Sequence, residues 1–353
     1  NAWVSILPDE TVMIRIARSE MGQGTRTGLA QLVTEELECN WRKVKTQSAT
    51  PGQSLARKRV WGEHGTGGSR GIRISEDYVR RGAAAARIML LEAAAKQWNV
   101  PVSELKVDKG VITHIPSGRK TTYGKVAELA STLTPPDPKS ITLRDPRAWK
   151  VAGQPYARID TAAKVNGTKV YGVDLQLPGM LCASIKACPV FGGKLVSYNE
   201  AKIASMRGVK GVVKINDSTV AVVADTWWHA NTALNALPIV WDEGAGASTS
   251  QAGIEKMLRA GLEEQGDFWQ RKVGDAPEAI QTSAKKVEAV YYTPFRAHVT
   301  MEPMNATVKI TGDRAIAWVP TQNGEGSLAA LSEATGIPLS NCEVFKLDSG
   351  CGL

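Results

Sequence analysis

Two glycine-rich segments in the first 70 residues contain residue types that suit anion binding. The first is Ser-Glu-Met-Gly-Gln-Gly-Thr at 19–25, and the second is Gly-Thr-Gly-Gly-Ser-Arg at 65–70. Each is expected to end an extended segment and open a helix, which frees backbone N–H groups at a partially positive helix start. Two such turns, with Gln23 and Ser69 as polar side chains, predict a cradle for a large, flat, phosphate-bearing cofactor.

Each of these segments also has a plainer interpretation. Residues 22–24 suit a simple strand-to-helix turn with Gln23 in solvent, and residues 65–70 suit a flexible loop. The second segment lacks the Gly-x4-Gly-Lys-Ser/Thr spacing of a P-loop and does not follow Gly-x-Gly-x-x-Gly in register. In the anion-binding interpretation, the candidate cofactor-binding residues are Gly22, Gln23, Gly24, Thr66, Gly67, Gly68, Ser69 and Arg70.

A third polar group lies at 298–307, where the sequence is His-Val-Thr-Met-Glu-Pro-Met-Asn-Ala-Thr. Pro303 restricts the backbone there. Glu302 is a candidate pocket acid, and His298 and Asn305 are candidate substrate-binding residues. The alternative is a structured turn with ordinary capping hydrogen bonds.

The composition argues against several other kinds of site. The five cysteines match no zinc or iron–sulfur spacing, and neither Gly-x-Ser-x-Gly nor His-Glu-x-x-His occurs. The histidines at 64, 114 and 229 are isolated and are expected to be structural or solvated. The net charge is +8, but the basic residues are scattered without interleaved aromatic residues, so no nucleic-acid partner is expected. An acidic partner or an anionic membrane would suit this charge.

The elements that would position these residues alternate between strand and helix patterns. The sequence predicts strands on either side of Pro8-Asp9, a helix over 27–37 and a long alanine-rich helix over 75–98. Later strands are expected at several places, including 170–174 and 287–292. No signal peptide and no bilayer-spanning apolar run is found in the sequence.

Interleaved strands and helices over 353 residues favour an α+β protein of two or three domains. The proline cluster at 134–138 marks the first boundary. We divide the chain into a module at 1–150, a second module at 151–245 and the start of a third at 246–353. Because the sequence stops in a glycine-rich turn, we interpret it as part of a longer polypeptide.

Taken together, these motifs resemble the large subunit of the xanthine oxidase family of molybdenum hydroxylases. The branch is that of isoquinoline 1-oxidoreductase beta subunits and membrane-bound aldehyde dehydrogenase large subunits. Four segments carry the resemblance over most of the chain: 19–37, the turn at 65–70 with the alanine-rich helix, 159–181, and 292–322 with Tyr-Thr-Pro-Phe, Met-Glu-Pro-Met-Asn-Ala and Pro-Thr-Gln.

The resemblance implies a molybdopterin-contacting α/β module at 1–150, an a/b hammerhead domain at 151–245 and the start of the main molybdopterin-binding domain at 246–353. It implies molybdenum on a pterin, in bacteria the cytosine dinucleotide form, with no protein ligand to the metal. The 22–24 turn would contact the pterin or an oxo group, and the 67–69 turn would hold phosphates. Glu302, Asn305 and Gln322 would line a substrate pocket, and Gly350, Cys351 and Gly352 would approach the cofactor.

The implied reaction is hydroxylation of an aldehyde or an N-heteroaromatic carbon with oxygen from water. Electrons would leave through a small subunit with two [2Fe-2S] clusters, often towards a cytochrome c subunit. The family's usual export implies a periplasmic protein, membrane-associated through a partner.

Two departures from the family pattern matter. The usual Gly-Gly-Gly-Phe-Gly turn would fall on Gly350-Cys351-Gly352-Leu353, and this change favours an aldehyde substrate. The family's catalytic glutamate is expected beyond Leu353, so no catalytic residue is assigned, and activity would require the C-terminal half of the subunit. The alternative function is a non-catalytic binding or assembly module that keeps the fold but lacks the base.

Overall fold

The computed structural model describes residues 2–264 and 273–350. These residues form two compact units. The first unit combines the chain up to Leu175 with the chain from Arg296 onward, and the second unit comprises Gln176–Phe295. These divisions differ from the boundaries at 150/151 and 245/246 expected from sequence, which stay predictions about domains.

The helices and strands follow one another in a mixed order. The first stretch of the first unit contains β1 (Val4–Ile6), β2 (Val12–Ile16), α1 (Thr25–Leu37), β3 (Val44–Ser48), α2 (Pro51–Ala56), α3 (Arg70–Arg73), α4 (Glu76–Trp98), β4 (Leu105–Asp108), β5 (Val111–His114), β6 (Lys120–Thr122), α5 (Tyr123–Ser131) and α6 (Thr161–Val165). The second unit contains β7 (Cys182–Ala187), β8 (Lys194–Tyr198), β9 (Val209–Asn216), β10 (Thr219–Ala224), α7 (Trp227–Ala236), β11 (Ile239–Asp242), α8 (Gln251–Gly261) and α9 (Ala276–Thr282). The first unit then resumes with β12 (Thr307–Thr311), β13 (Arg314–Val319), α10 (Gly324–Thr335) and β14 (Cys342–Lys346).

The strands form small sheets of mixed direction. In the first unit, β1 and β2 are antiparallel and β3 joins β2 in parallel, while β12, β13 and β14 repeat that antiparallel-then-parallel arrangement. The strands β4, β5 and β6 form an antiparallel meander. In the second unit, β10 lies between β7 and β9, and β8 pairs with β11. The predicted α+β class is confirmed.

The main core of the first unit lies between α1 and α4. Leu29, Val33 and Leu37 recur every four residues on one stripe of α1 and are at most 1% exposed. Ala83 and Ala93 of α4 are fully buried, and their small side chains allow the two helices to pack closely. This packing holds the N-terminal ends of both helices at defined positions.

Two glutamates near the end of α1 support this arrangement. A carboxylate at a helix C-terminus is unfavourable for the helix dipole. Here Glu35 accepts hydrogen bonds from the backbone N–H groups of residues 150, 151 and 152 at 2.8, 2.7 and 3.2 Å. Glu36 pairs with Arg80 at 2.8 Å. The two carboxylates therefore fix the segment at 144–152 against the core.

Most predicted elements are confirmed, but two strands are wrong. Residues 170–174 contain a 3₁₀ turn, Gly172–Asp174, whose first residues donate to the Glu302 carboxylate. Residues 287–292 form no strand within the described chain, and Val287 is 95% exposed there. A strand needs a neighbour that accepts and donates its backbone hydrogen bonds, and apolar alternation alone does not supply one.

Candidate functional site

Four chain segments of the first unit meet around the two glycine-rich turns. The Ser19 N–H donates to Thr66 Oγ1 at 2.9 Å, and the Ser19 hydroxyl donates to the Thr321 carbonyl at 2.7 Å. The Thr66 N–H donates to the Gln322 carbonyl at 2.8 Å, and the Ser349 N–H donates to the Glu20 carbonyl at 2.9 Å. The structure thus brings together residues that lie up to about 330 positions apart in sequence.

We define the first turn as residues 19–26. Its backbone conformation requires glycine, because φ is +98° at Gly22 and +83° at Gly24. Three of its N–H groups are bonded to one carboxylate: the backbone N–H groups of Gly22 and Gly24 donate to Glu20 Oε1 at 2.9 and 3.1 Å, and that of Arg26 donates to Glu20 Oε2 at 3.0 Å. The Glu20 side chain is 1% exposed. A carboxylate of the protein therefore fills the start of α1.

The Glu20 carboxylate is in turn held by a cation from the segment after the 144–152 loop. Arg158 Nη2 lies 3.0 Å from Glu20 Oε1, and Arg158 also donates to the Gly22 carbonyl at 2.6 Å. Asp160 pairs with Arg158 and Lys164, and together these cations lower the Asp160 pKa well below its usual range despite its burial. The first turn is consequently closed by a network of ion pairs.

Gln23 lies at the exposed tip of the first turn. Its side-chain oxygen accepts from the Met21 N–H at 2.6 Å, and its amide nitrogen donates to the Ser19 carbonyl at 3.0 Å. Both ends of the amide are thus used within the turn itself. Its predicted contact with a cofactor stays a prediction.

We define the second turn as residues 64–70. Gly68 and Ser69 both have left-handed backbones, with φ of +56° and +54°. Within the described chain, the N–H groups of Gly67, Gly68 and Ser69 donate no hydrogen bond. Arg70 Nε donates to the Gly67 carbonyl at 3.2 Å, and Arg70 is half-buried. The second turn therefore presents free N–H groups and a guanidinium, as the sequence predicted for an anion cradle.

A buried basic group lies close to the second turn. Arg18 is 3% exposed, and it donates to the Gly65 carbonyl and, at 2.9 Å, to Ser75 Oγ. Lys346 is 7% exposed and donates to the Ala17 carbonyl. Burial lowers the pKa of Lys346 to about 7, and the charges of Arg18 and Arg26 act in the same direction.

His64 opens the second turn and is fully buried. Its burial, together with the charges of Lys346 and Arg18, lowers its pKa to about 3, so its ring is neutral at physiological pH. Within the described chain, neither ring nitrogen has a hydrogen-bond partner. Buried polar atoms are normally bonded, and this imidazole is an exception among the described atoms. The sequence predicted a structural or solvated histidine, and its full burial fits the structural expectation.

Glu302 acts as a junction. Its Oε1 accepts from the Gly172 N–H at 2.8 Å and from Asn305 Nδ2 at 3.1 Å, while its Oε2 accepts from the Gly350 N–H at 2.6 Å. A Cβ at position 172 would overlap Asn305, so only glycine fits there. The geometry matches the structured-turn alternative for this cluster. Asn305 Oδ1 is buried and, among the described atoms, unpartnered.

The other predicted pocket residues are distributed as follows. Gln322 is exposed beside the second turn, with its Oε1 4.0 Å from where a Cβ on Gly67 would lie. His298 is exposed. Gly350 is bonded to Glu302, and Cys351 and Gly352 lie outside the described residues. The structure thus joins Gln322 to the second turn and Gly350 to Glu302.

Several residues that build this site were missed in the sequence. Asp348 is 4% exposed and pairs with Arg26 of the first turn and with Lys169, 2.5 Å away. Glu20, Arg18 and Lys346 are likewise buried charges. A signal existed for Glu20, since an acidic residue two positions before a glycine turn can fold back onto its N–H groups. The others become partners only through contacts distant in sequence.

Two kinds of feature are absent from the described residues. In the described ranges, no group of three or more His, Cys, Asp or Glu residues could hold a metal ion. None of the helices in that part of the chain is long and apolar enough to cross a membrane.

Family comparisons agree with this geometry. Two models, each described as "Molybdopterin cofactor-binding domain", match residues 1–175 and 262–352. Together they cover most of the chain and include both turns and the Glu302 junction. The chain belongs to the molybdenum-cofactor-binding large subunits of the xanthine oxidase family.

The individual relatives refine this placement. The chain is similar to the isoquinoline 1-oxidoreductase beta subunit of Brevundimonas diminuta, with 27% identity over 91% of this chain and 46% of that protein. It is 25% identical to the membrane-bound aldehyde dehydrogenase [pyrroloquinoline-quinone] of Gluconacetobacter polyoxogenes over 86% of this chain and 40% of that protein. A nicotinate dehydrogenase subunit of Pseudomonas putida is 25% identical over 99% and 29%, respectively. The predicted resemblance is confirmed, and the chain spans less than half the length of these relatives.

Solved structures are similar over part of the chain. Quinoline 2-oxidoreductase from Pseudomonas putida 86 aligns with a TM-score of 0.42 and 19% identity, covering 55% of this chain and 30% of that one. Aldehyde oxidoreductase from Desulfovibrio gigas aligns with a TM-score of 0.41 and 16% identity, covering 54% and 26%.

Proposed function

We propose that the second turn holds the phosphates of a molybdopterin cofactor, in the cytosine dinucleotide form. The observation that carries this proposal is the set of unbonded N–H groups at Gly67, Gly68 and Ser69, within the described chain, beside Arg70. Backbone N–H groups and a guanidinium are the donors that phosphate oxygens accept best. The family match to molybdopterin cofactor-binding domains agrees with this donor set.

Two buried groups at the turn bear on this proposal. The His64 imidazole is unpartnered among the described atoms, and the Arg18 guanidinium donates to the Gly65 carbonyl. The positive charge of Arg18 favours an anion at the turn, and Lys346, whose pKa is about 7, adds only part of a charge near neutral pH. When bound, the cofactor supplies the two-electron redox chemistry. The described residues bind and orient it.

We propose that the complete protein hydroxylates an aldehyde or an N-heteroaromatic carbon with oxygen from water. The names of the relatives, which include an aldehyde dehydrogenase and an isoquinoline oxidoreductase, support these two substrate classes. The non-catalytic alternative is not favoured, because the similar proteins are oxidoreductases.

The partners and the location belong to the same proposal. A small subunit with [2Fe-2S] clusters would accept the electrons and pass them to a cytochrome c subunit. We place the complex in the periplasm, associated with the membrane through a partner. The designation of two relatives as subunits supports a multi-subunit complex.

Elemental analysis of the native complex tests the cofactor. About one molybdenum atom per complex is expected, with about four iron atoms from two [2Fe-2S] clusters and one more for each haem of a cytochrome c subunit. Absence of molybdenum in carefully prepared native complex would overturn the proposal.

A charge placed on the second turn tests the phosphate contact. Ser69 is exposed and left-handed, and aspartate tolerates that backbone. Ser69→Asp should therefore fold but lower the molybdenum content of the complex, because its carboxylate repels the phosphates. Ser340→Asp, on an exposed turn of the same unit, is the matched control and should retain molybdenum. Equal molybdenum in both variants would remove the second turn from the cofactor site.

A further inference from the structure

We infer that Glu20 is a built-in anion that closes the first turn and positions it, so that the backbone N–H groups of Gly22, Gly24 and Arg26 are not donors to a ligand. The carboxylate accepts three backbone N–H groups, at 2.9, 3.1 and 3.0 Å. A bound phosphate at a helix start would use the same groups. Glu20 therefore occupies the place that an anionic ligand would otherwise take.

The charge of Glu20 is balanced inside the protein. Arg158 lies 3.0 Å from the carboxylate and also bonds the Gly22 carbonyl on the opposite side of the turn. Asp160 orients Arg158 through two hydrogen bonds, at 3.1 and 3.0 Å. The Arg158 guanidinium thus bonds both the Glu20 carboxylate and the Gly22 carbonyl, so residues 158–160 help to hold the first turn in its conformation.

The position of Glu20 also couples the turn to the rest of the site. Its backbone carbonyl accepts from the Ser349 N–H, and the adjacent Ser19 bonds to both Thr66 and Thr321. A shift of the first turn would therefore disturb the second turn and the chain before Gly350. Glu20 is a positioning residue. Its consequence for the cofactor, that no phosphate uses the N–H groups of Gly22, Gly24 and Arg26, rests on the proposed function.

If the inference is right, removal of the Glu20 carboxylate should create a new anion-binding site at the first turn. Glu20→Ala removes the carboxylate but leaves the three N–H groups and the Arg158 guanidinium in place. In the purified native complex, this variant should unfold about 5–10 °C lower than the parent, because buried charge-assisted hydrogen bonds are lost. Inorganic phosphate, compared with chloride at equal ionic strength, should then raise its unfolding temperature by several degrees more than it raises the parent's.

Two variants serve as controls. Glu333→Ala removes an exposed carboxylate from α10 in the same unit and should respond to phosphate as the parent does. Glu20→Ala with Arg158→Ala removes the remaining cation and should lose the additional phosphate response. An equal phosphate response in Glu20→Ala and in the parent would overturn the inference.

A second measurement covers the case in which Glu20→Ala does not fold. Glu20→Gln keeps the size of the side chain but removes its charge. Hydrogen exchange of a peptide covering 19–28 should become at least several-fold faster in this variant, while a peptide within α5 stays unchanged. Unchanged exchange at 19–28 would also overturn the inference. Neither readout involves molybdenum, so a failure of the proposed cofactor site would leave these results interpretable.

Discussion

The first and second turns are similar in composition but differ in which of their N–H groups are used. Each contains glycine with a left-handed backbone, each precedes a helix and each has a glutamate nearby. Glu20 is buried and accepts three N–H groups of the first turn. Glu63 beside the second turn is 55% exposed, and it lies 3.8 Å from the guanidinium groups of Arg18 and Arg70. The first turn is therefore internally neutralised, whereas the second remains electropositive and open.

The difference teaches how anion sites should be identified from glycine-rich turns. Glycine makes the backbone conformation possible, but the fate of the N–H groups depends on which carboxylate is closest and how well it is desolvated. A partner such as Arg158, 138 residues from Glu20, stabilises the closed state of one turn. The second turn instead has the buried Arg18 guanidinium bonded to its Gly65 carbonyl, and this charge favours a bound anion.

Of the substitutions that distinguish the two turns, Arg18→Met is expected to have the largest effect on stability. Arg18 is buried and donates to the Gly65 carbonyl and to Ser75 Oγ. Its loss removes the donor to the Gly65 carbonyl and one of the two donors to Ser75 Oγ, which keeps its bond from the Tyr78 hydroxyl at 2.6 Å. We expect a decrease of about 2–4 kcal/mol in the free energy of unfolding of the first unit. Urea unfolding measures the decrease in the free energy of unfolding, and hydrogen exchange of peptides within 1–175 shows where the structure opens. Exchange should rise most in the second turn.

Arg147→Met is the control for this experiment. Arg147 is 91% exposed and pairs with Asp145 two residues away, and such surface pairs contribute about 0–1 kcal/mol. If the two variants lost equal stability, or if exchange in the first and second turns rose equally in Arg18→Met, Arg18 would not be a specific support of the second turn.

A second prediction concerns the pH dependence that Lys346 gives to the site. Its pKa is about 7 in the folded protein and 10.5 for an ordinary lysine. Between these values the unfolded chain binds the proton and the folded chain does not. The contribution of Lys346 to stability is thus fully present above pH 10.5, decreases as the pH falls towards 7 and is constant below that.

Lys346→Met should remove this dependence. The parent's free energy of unfolding should rise by at most about 1.4 kcal/mol per pH unit between about pH 7 and 10 relative to the variant. Lys309→Met, on an exposed position of β12, should leave the slope unchanged. Parallel stability curves for the parent and Lys346→Met would show that Lys346 keeps an ordinary pKa, and the second turn would then have a full charge behind it throughout this range.

The sequence predicts the turns, the α+β class and most of the elements because these depend on local periodicity and on glycine and proline. The family resemblance assigns Gln322 to a substrate pocket and the second turn to cofactor phosphates, and the structure places Gln322 beside that turn. It does not predict that the Glu302 carboxylate is consumed by Gly172, Asn305 and Gly350, because the contacts with Gly172 and Gly350 join segments 130 and 48 residues away. Whether a polar side chain is free or used is decided by tertiary partners, which local patterns do not contain.

The smallest effects are expected from alanine at one glycine of each turn. Gly24 has φ +83°, outside the left-handed region that other residues tolerate, whereas Gly68 has φ +56°, inside it, and neither has an atom closer than 3.9 Å to a new Cβ. Gly24→Ala should therefore cost about 2 kcal/mol and Gly68→Ala about 1 kcal/mol in the free energy of unfolding. Phosphate affinity, measured by calorimetry on complex freed of its cofactor, should decrease only for Gly68→Ala, because its methyl group lies where a ligand approaches the open N–H groups. A weaker phosphate affinity in Gly24→Ala with no change in Gly68→Ala would reverse the assignment of the closed and open turns.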